Sequence, residues 1–165
     1  ALLEVNKRIS KTPMIVKYTF IIGFPFETEE QLQNTIKVAQ QLCNENPNAY
    51  VPLNLLTPYP GAKTYDDAIQ AGFSPPKTLE EWADFSLDDW MLRYPNWHTK
   101  EEIRRLASLA FSAVFANPKV ASRIDNRTIR WLIKLYGPIA RLRFRHNWHR
   151  FPIESMLART ILRHV

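Results

Sequence analysis

The chain has 165 residues and a mass of 19.3 kDa, which suits one ordinary domain or a piece of a larger one. It has four glycines and contains neither a G-x-x-x-x-G-K nor a G-x-G-x-x-G motif, so the common glycine-rich phosphate-binding loops are excluded from these residues. Its one cysteine, Cys43, excludes an internal disulfide and a metal cluster held by several cysteines of this chain.

The formal net charge of +6 is distributed unevenly along the chain. Residues 1–100 contain 9 basic and 12 acidic side chains, a balance of −3, whereas residues 101–165 contain 13 and 4, a balance of +9. The basic character therefore belongs to the C-terminal part and indicates a local surface with its own partner.

The first half of the chain has the pattern of a strand–helix–strand unit. Residues 1–9 have helical apolar spacing and are interpreted as the end of a helix whose beginning is missing. Residues 14–22 predict a buried strand covered on both faces, and the T-x-x-Q box at Thr28 predicts a helix over 28–44. Residues 50–57 predict a second strand, so the two strands should be parallel and joined by a right-handed crossover.

The second half has the pattern of a helical region. Short helices are predicted over 64–71 and from Thr78, and a longer one over 100–115. Asn117-Pro118 predicts the start of a further helix. Helical structure is then expected to Val165, with breaks at Gly137-Pro138 and Phe151-Pro152.

Both predicted strands end in loops that contain proline and aromatic residues. The first strand runs into Gly23-Phe24-Pro25 and the second into Thr57-Pro58-Tyr59-Pro60-Gly61. Ligands of parallel α/β sheets bind at the carboxyl ends of the strands, so these loops predict one wall of a pocket. The plainer alternative is a pair of tight turns with no ligand.

These loops also carry a family resemblance. Phe20 to Glu30, followed by Thr57 to Gly61 and Tyr65, resembles the last third of a radical S-adenosylmethionine (SAM) barrel, in the subgroup with an N-terminal cobalamin-binding domain. The resemblance covers about residues 14–125. Phe26 departs from it by standing where the family usually has Gly, and the chain has no Cys-x-x-x-Cys-x-x-Cys triplet for the iron–sulfur cluster.

The resemblance implies an α/β fold in which residues 1–72 supply the last two parallel strands of a partial (βα) barrel with their crossover helix. Residues 73–165 would form an all-helical C-terminal region. The parent enzyme would cleave SAM at a [4Fe–4S] cluster to a 5′-deoxyadenosyl radical and methylate, cyclise or rearrange its substrate, with cobalamin as a further cofactor. The cluster ligands would lie in the N-terminal part of the same parent chain, so this chain alone is expected to be inactive.

Site residues follow from the resemblance by position. The residues it places around the adenine of SAM are Ile21, Ile22, Gly23, Leu55 and Thr57. Tyr59 and Tyr65 would border a small-molecule or lipid-like substrate, with packing on the rim as the alternative. No metal site is predicted within the chain, because His146 and His149 lack an evident third ligand and Cys43 reads as a buried apolar residue.

The basic tail, residues 130–163, interleaves Arg and Lys with aromatic residues. Three interpretations are open: docking on other domains of the parent, binding of an anionic membrane surface, and binding of nucleic acid. A non-catalytic basic helical module that binds membrane or nucleic acid is accordingly the alternative to the enzyme fragment. A cytoplasmic location is expected, at the membrane periphery if the tail binds lipid.

Overall fold

The computed structural model describes residues 1–83, 97–116, 127–148 and residue 151. The helices within these ranges are α1 (Leu2–Ile9), α2 (Glu29–Glu45), α3 (Lys63–Gln70), α4 (Leu79–Ala83), α5 (Lys100–Phe115) and α6 (Arg127–Arg145). The strands are β1 (Val16–Lys17), β2 (Phe20–Ile22), β3 (Ala49–Tyr50) and β4 (Leu53–Leu55). The predicted α/β class is confirmed, while the strands of the described part form two parallel pairs and no closed barrel.

The two strand pairs are segments of one parallel ladder. Val16 pairs with Ala49 in β1–β3 and Phe20 pairs with Leu53 in β2–β4, which is the same register. Between the pairs, the Phe20 N–H donates to the Pro52 carbonyl at 3.1 Å. Pro52 has no N–H to donate in return, so the ladder is interrupted there. The predicted parallel pairing is confirmed, with shorter strands than 14–22 and 50–57.

One face of this ladder forms the core. The buried side chains on it include Ile22, Leu53 and Leu55 from the strands, Leu32, Ile36, Ala39 and Leu42 from α2, and Leu106, Leu109, Ala110 and Ala113 from α5. Ile22 is fully buried, but its neighbour Ile21, which points to the opposite face, is 48% exposed. The expectation that this strand is covered on both faces is therefore wrong within the described residues.

Capping boxes fix the starts of the two helices that cover the ladder. At α2 the Gln31 N–H donates to Thr28 Oγ1 at 3.2 Å, and the Thr28 N–H donates to Gln31 Oε1 at 2.9 Å. Thr99 and Glu102 repeat this arrangement at the start of α5. The helices predicted over 28–44 and 100–115 are confirmed because their start signals are local.

Helix α6 runs without interruption through Gly137 and Pro138, so the break predicted there is wrong. A Cβ at Gly137 would lie 3.4 Å from the Phe115 carbonyl oxygen, an ordinary contact distance, so α6 packs against the end of α5 at this position. Ile133 and Ala140, on either side of Pro138, are both buried. This packing holds the helix together against the cost of proline.

The end of α6 is a Schellman motif that the sequence did not suggest. Asn147 has a left-handed φ of 50°, the Trp148 N–H donates to the Arg143 carbonyl at 2.9 Å, and the Asn147 N–H donates to the Phe144 carbonyl at 3.3 Å. The helix start predicted at Pro118 and helical structure after Pro152 lie outside the described residues. None of the described helices is long and apolar enough to cross a membrane.

Helix α1 is attached to α2 by a buried amide network. Asn6 is completely buried, its Nδ2 donates to the Leu42 carbonyl at 3.0 Å, and its Oδ1 accepts from Asn46 Nδ2 at 3.1 Å. Asn46, also completely buried, accepts the Asn48 N–H at 2.8 Å on its own Oδ1. This network ties α1 to the turn between α2 and β3.

We expect Asn6→Ala to lower the free energy of unfolding by about 1–3 kcal/mol, because the substitution leaves the Leu42 carbonyl and Asn46 with unmade buried hydrogen bonds. Urea unfolding measures this. The matched control is Asn34→Ala on the exposed side of α2, which should change stability by less than about 0.5 kcal/mol. Equal effects of the two substitutions would contradict a structural role for the network.

Candidate functional site at the carboxyl ends of the strands

Gly23 forms the turn that directly follows β2. Its φ of +79° lies in the left-handed region that favours glycine. Its N–H donates to Glu27 Oε2 at 2.7 Å, and its carbonyl accepts from Trp97 Nε1 at 3.2 Å and lies 3.2 Å from His98 Nε2. Both backbone polar groups of Gly23 are thus bonded within the chain, and they join β2 to the segment that precedes α5.

The space beside Gly23 is closed but not crowded. A Cβ at this position would lie 3.4 Å from Leu106 Cδ1, 3.5 Å from Leu55 Cδ2 and 3.7 Å from His98 Nε2. The nearest of these contacts are close to ordinary van der Waals separation. The backbone conformation, rather than a lack of space, is therefore the main reason for glycine here.

A polar cavity of about 180 Å³ lies next to this turn. Its lining residues are Glu27, Thr28, Glu29, Leu32, His98, Glu102, Arg105 and Leu106. They come from the first turns of α2 and α5 and from the two segments that lead into these helices. Pockets for drug-sized ligands measure about 300–1,000 Å³, so this cavity holds a small polar group or one part of a larger ligand.

An ion pair closes one side of the cavity. Arg105 donates to both carboxylate oxygens of Glu29, at 2.6 Å from Nη2 and 3.2 Å from Nη1. The hydrogen bond from Arg105 lowers the pKa of the Glu29 carboxyl. Both side chains are about half exposed, so the pair contributes little stability, but its two-pronged geometry fixes α5 against the N-terminus of α2.

Glu27 and His98 form the inner wall of the cavity. Burial raises the pKa of the Glu27 carboxyl, and the hydrogen bond from the Gly23 N–H and the nearby His98 only partly offset this effect. His98 Nδ1 lies 3.8 Å from Glu102 Oε2. A carboxyl group with a raised pKa beside an imidazole that faces a second carboxylate is an arrangement that can bind a cation or exchange a proton.

The residues expected around adenine fall into different environments. Ile22 and Leu55 are buried in the core, Ile21 points to the exposed face, Gly23 is buried, and Thr57 is half-buried. The Ile22 carbonyl accepts the Leu56 N–H at 2.8 Å, which continues the strand pairing. Ile22, Gly23 and Leu55 thus lie together at the end of the ladder, and their role toward a ligand stays a prediction.

The two tyrosines expected near a substrate lie on the loop after β4 and on α3. Tyr59 is 46% exposed. Tyr65 is half-buried and packs edge-on against Phe73, with ring centroids 6.1 Å apart, and Phe73 packs edge-on against Trp97 at 5.7 Å. Tyr65 is therefore the first of three aromatic rings that lead to the Gly23 carbonyl. Its contact with a substrate also stays a prediction.

Sequence reasoning missed the part that α5 plays in this site. The sequence patterns single out neither His98 nor Glu102 as a site residue. Their separation of four residues could have indicated a pair on one helical face. The contact of His98 with Gly23 joins residues 75 positions apart, and no local pattern predicts it.

A larger cavity, of about 490 Å³, lies near the other end of the ladder, between α2, α5 and α6. Its lining includes Gln40, Cys43, Asn44, Ala113, Arg141 and Leu142, and no acidic residue lines it within the described part. Cys43, predicted to be a buried apolar residue, is only partly buried and packs against the core beside this cavity, and burial raises the pKa of its thiol to about 11. This cavity lacks the acid–base groups of the smaller one.

Comparison with known proteins gives one informative relative. Over 142 residues, 81% of this chain, the sequence is 30% identical to a protein of Pyrococcus horikoshii named as an uncharacterized methyltransferase. The chain spans 29% of the length of that relative. No protein-family profile matches the chain, and no solved structure matches it.

This likeness corrects the assignment to a radical SAM enzyme fragment. The relative is named a methyltransferase, which contradicts the predicted radical SAM identity and radical chemistry, and nothing in the comparisons supports a [4Fe–4S] cluster or cobalamin. Within the described residues no group of three His, Cys, Asp or Glu side chains could hold a metal ion. The loop phrases that suggested the family are short Gly/Pro turns, and turns of this kind suit many α/β proteins.

We expect the Glu27 carboxyl to titrate above its ordinary value of 4.5 and the Glu29 carboxyl below it. Because folding raises the pKa of Glu27, the stability that this residue contributes is present below pH 4.5 and is lost as the pH rises through its folded pKa. Glu29 should show the opposite trend, with stability lost as the pH falls through its folded pKa. The two residues therefore serve as each other's controls.

The measurement is the free energy of unfolding between about pH 3 and 7 for wild type, Glu27→Gln and Glu29→Gln, since the change for Glu29 lies mainly below pH 4.5 and that for Glu27 above it. The wild-type value should fall relative to that of Glu27→Gln as the pH rises. It should rise relative to that of Glu29→Gln. The same sign for both differences would contradict the burial of Glu27.

Proposed function

We propose that this chain is part of a SAM-dependent methyltransferase, and that the wall built by Gly23, Glu27 and His98 belongs to its methyl-transfer pocket. The observation that carries the proposal is the 30% identity, over 81% of the chain, to a protein named a methyltransferase. SAM as the methyl donor is consistent with that name. The chain spans 29% of that relative, so the remaining walls of the pocket are assigned to residues outside it.

The charge of the cavity supports a cationic ligand. Three carboxylates, those of Glu27, Glu29 and Glu102, line it against one guanidinium, that of Arg105. The methyl donor carries a positive sulfonium, which such a wall attracts. Since the cavity measures about 180 Å³, it would hold only the part of the donor around the sulfur. We assign the Glu27 carboxylate, on the inner wall, to the sulfonium.

Methyl transfer also needs a destination for a proton. The nucleophile attacks the methyl carbon, the carbon–sulfur bond breaks, and its electron pair stays on sulfur to give S-adenosylhomocysteine. The nucleophile then loses its proton to a base. In the tautomer in which His98 Nε2 donates to the Gly23 carbonyl, Nδ1 is free to accept that proton, and the resulting imidazolium would face Glu102 Oε2 at 3.8 Å.

The residues named at the strand ends keep a place in this proposal. Ile22 and Leu55 are both buried at the end of the ladder, with Leu55 Cδ2 3.5 Å from the position of a Cβ at Gly23, and we assign them to the base of the pocket. Thr57, which follows β4, extends the wall along the same edge. Tyr59 and Tyr65 lie on the side assigned to the methyl acceptor. The packing of Tyr65 on Phe73, which in turn packs on Trp97, supports a role for Tyr65 in shaping that side.

The test compares two ligands that differ only in the transferred methyl group and its charge. Calorimetric titration of the full-length protein with SAM should show binding, and Glu27→Gln should weaken it about fivefold, since one carboxylate–cation interaction at about 4 Å amounts to roughly 1 kcal/mol in water. Binding of S-adenosylhomocysteine, which lacks the sulfonium, should change by less than about twofold.

The matched control is Glu30→Gln, which removes an exposed carboxylate from the same turn of α2 and should change neither affinity. A folded wild-type protein that binds neither ligand would overturn the methyltransferase proposal. Equal weakening of both ligands by Glu27→Gln would overturn only the assignment of Glu27 to the sulfonium.

A further inference from the structure

We propose that the outward face of α6 lies on the surface of an anionic lipid bilayer, with its apolar side chains in the headgroup layer. The proposal does not depend on the methyltransferase function. It is argued from three features of the helix: an exposed apolar stripe, a cationic edge beside that stripe, and a buried face that holds the helix on the core.

Large apolar side chains of α6 are exposed on one side of the helix. They are Trp131 (62% exposed), Leu132 (45%), Leu135 (62%), Ile139 (51%) and Leu142 (54%). At about 100° per residue these five side chains fall within an arc of about 100°, which places them within one stripe along the helix. A contiguous exposed apolar stripe of this kind marks a site of interaction rather than ordinary surface.

Cations flank this stripe along one edge. At about 100° per residue, Arg127, Lys134, Arg141 and Arg145 fall on the same side of the stripe, and all four are exposed. The whole of α6 contains six basic residues and no acidic one. Six of the 13 basic residues of the C-terminal part thus lie on α6, and four of them border an apolar surface, which is the arrangement of an interfacial helix.

The opposite face of α6 fixes the helix in place. Ile133, Ala140 and Phe144 are buried, the first two in a cluster with Phe115 and the third in the main core. Arg143 is also buried, with its guanidinium bonded to the Phe151 carbonyl, so it does not belong to the cationic edge. Because the buried face already packs on α5, the apolar stripe is left for a second surface.

The charge pattern selects the occupant. Residues 127–148, which form α6 and its C-terminal end, include no acidic residue. A partner that covers the outward face therefore has to supply negative charge along the cationic edge and apolar contact along the stripe. An anionic bilayer presents negative headgroup phosphates and apolar acyl chains in adjacent layers of one surface. A second copy of this face would instead bring like charges together.

The test is sedimentation of the full-length protein with vesicles of phosphatidylcholine alone and with vesicles containing about one-third phosphatidylglycerol. We expect strong enrichment on the anionic vesicles only. The triple variant Arg127→Gln/Lys134→Gln/Arg141→Gln should reduce the partition coefficient about 100-fold, since each basic residue near an anionic surface accounts for roughly a fivefold change. The double variant Leu135→Ser/Leu142→Ser should also reduce the partition coefficient, because it removes apolar side chains that would be buried in the headgroup layer.

The matched control is Lys11→Gln/Lys17→Gln/Lys37→Gln, which removes three exposed lysines from other elements and should leave partitioning within about threefold of wild type. Circular dichroism checks that each variant is folded. Equal losses in the two triple variants, or no enrichment of wild type on anionic vesicles, would overturn the proposal. The proposal would also be overturned if the wild-type protein self-associates in the absence of vesicles and Leu135→Ser/Leu142→Ser abolishes that association. The stripe would then be a contact between copies of the protein.

Discussion

The turn at Gly23 is the constraint on which the arrangement of this molecule depends. Its N–H is bonded to Glu27, at the start of α2, and its carbonyl is bonded to Trp97, just before α5. Gly23 makes these two bonds in a left-handed backbone conformation that favours glycine, and they join the end of β2 to the segments that lead into both covering helices. The cavity exists because these three points are held together at the carboxyl edge of the ladder.

Local signals in the sequence predicted the pieces but not their assembly. Thr28 and Thr99 correctly marked the starts of two helices, since a capping box acts within four residues. Pro138 misled, because packing against α5 outweighed the local cost of proline. The polar site depends on a contact between His98 and Gly23, which lie 75 positions apart in the sequence. Local sequence patterns do not reveal contacts between such distant residues.

The resemblance to a family illustrates the same limit at the level of function. The phrases around Gly23 and Pro58 describe how two strands turn at one edge, and the structure confirms that the strands are parallel there. Turn geometry identifies an edge where ligands bind, not the reaction performed at it. The Gly and Pro residues of the turn do not distinguish this site from others. The side chains that do, such as Glu27 and Arg105, lie beside the turn.

A chain of hydrogen bonds connects the two surfaces to which partners are assigned. At the end of α6, Asn147 Nδ2 donates to Gln33 Oε1 at 2.9 Å, and Gln33 Nε2 donates to Glu29 Oε1 at 2.7 Å. Glu29 in turn accepts both bonds from Arg105 at the cavity. The acidic cavity and the basic helix therefore share α2 as a common support. A lipid surface that binds the exposed face of α6 would, through this shared support, set how the cavity is oriented toward the bilayer.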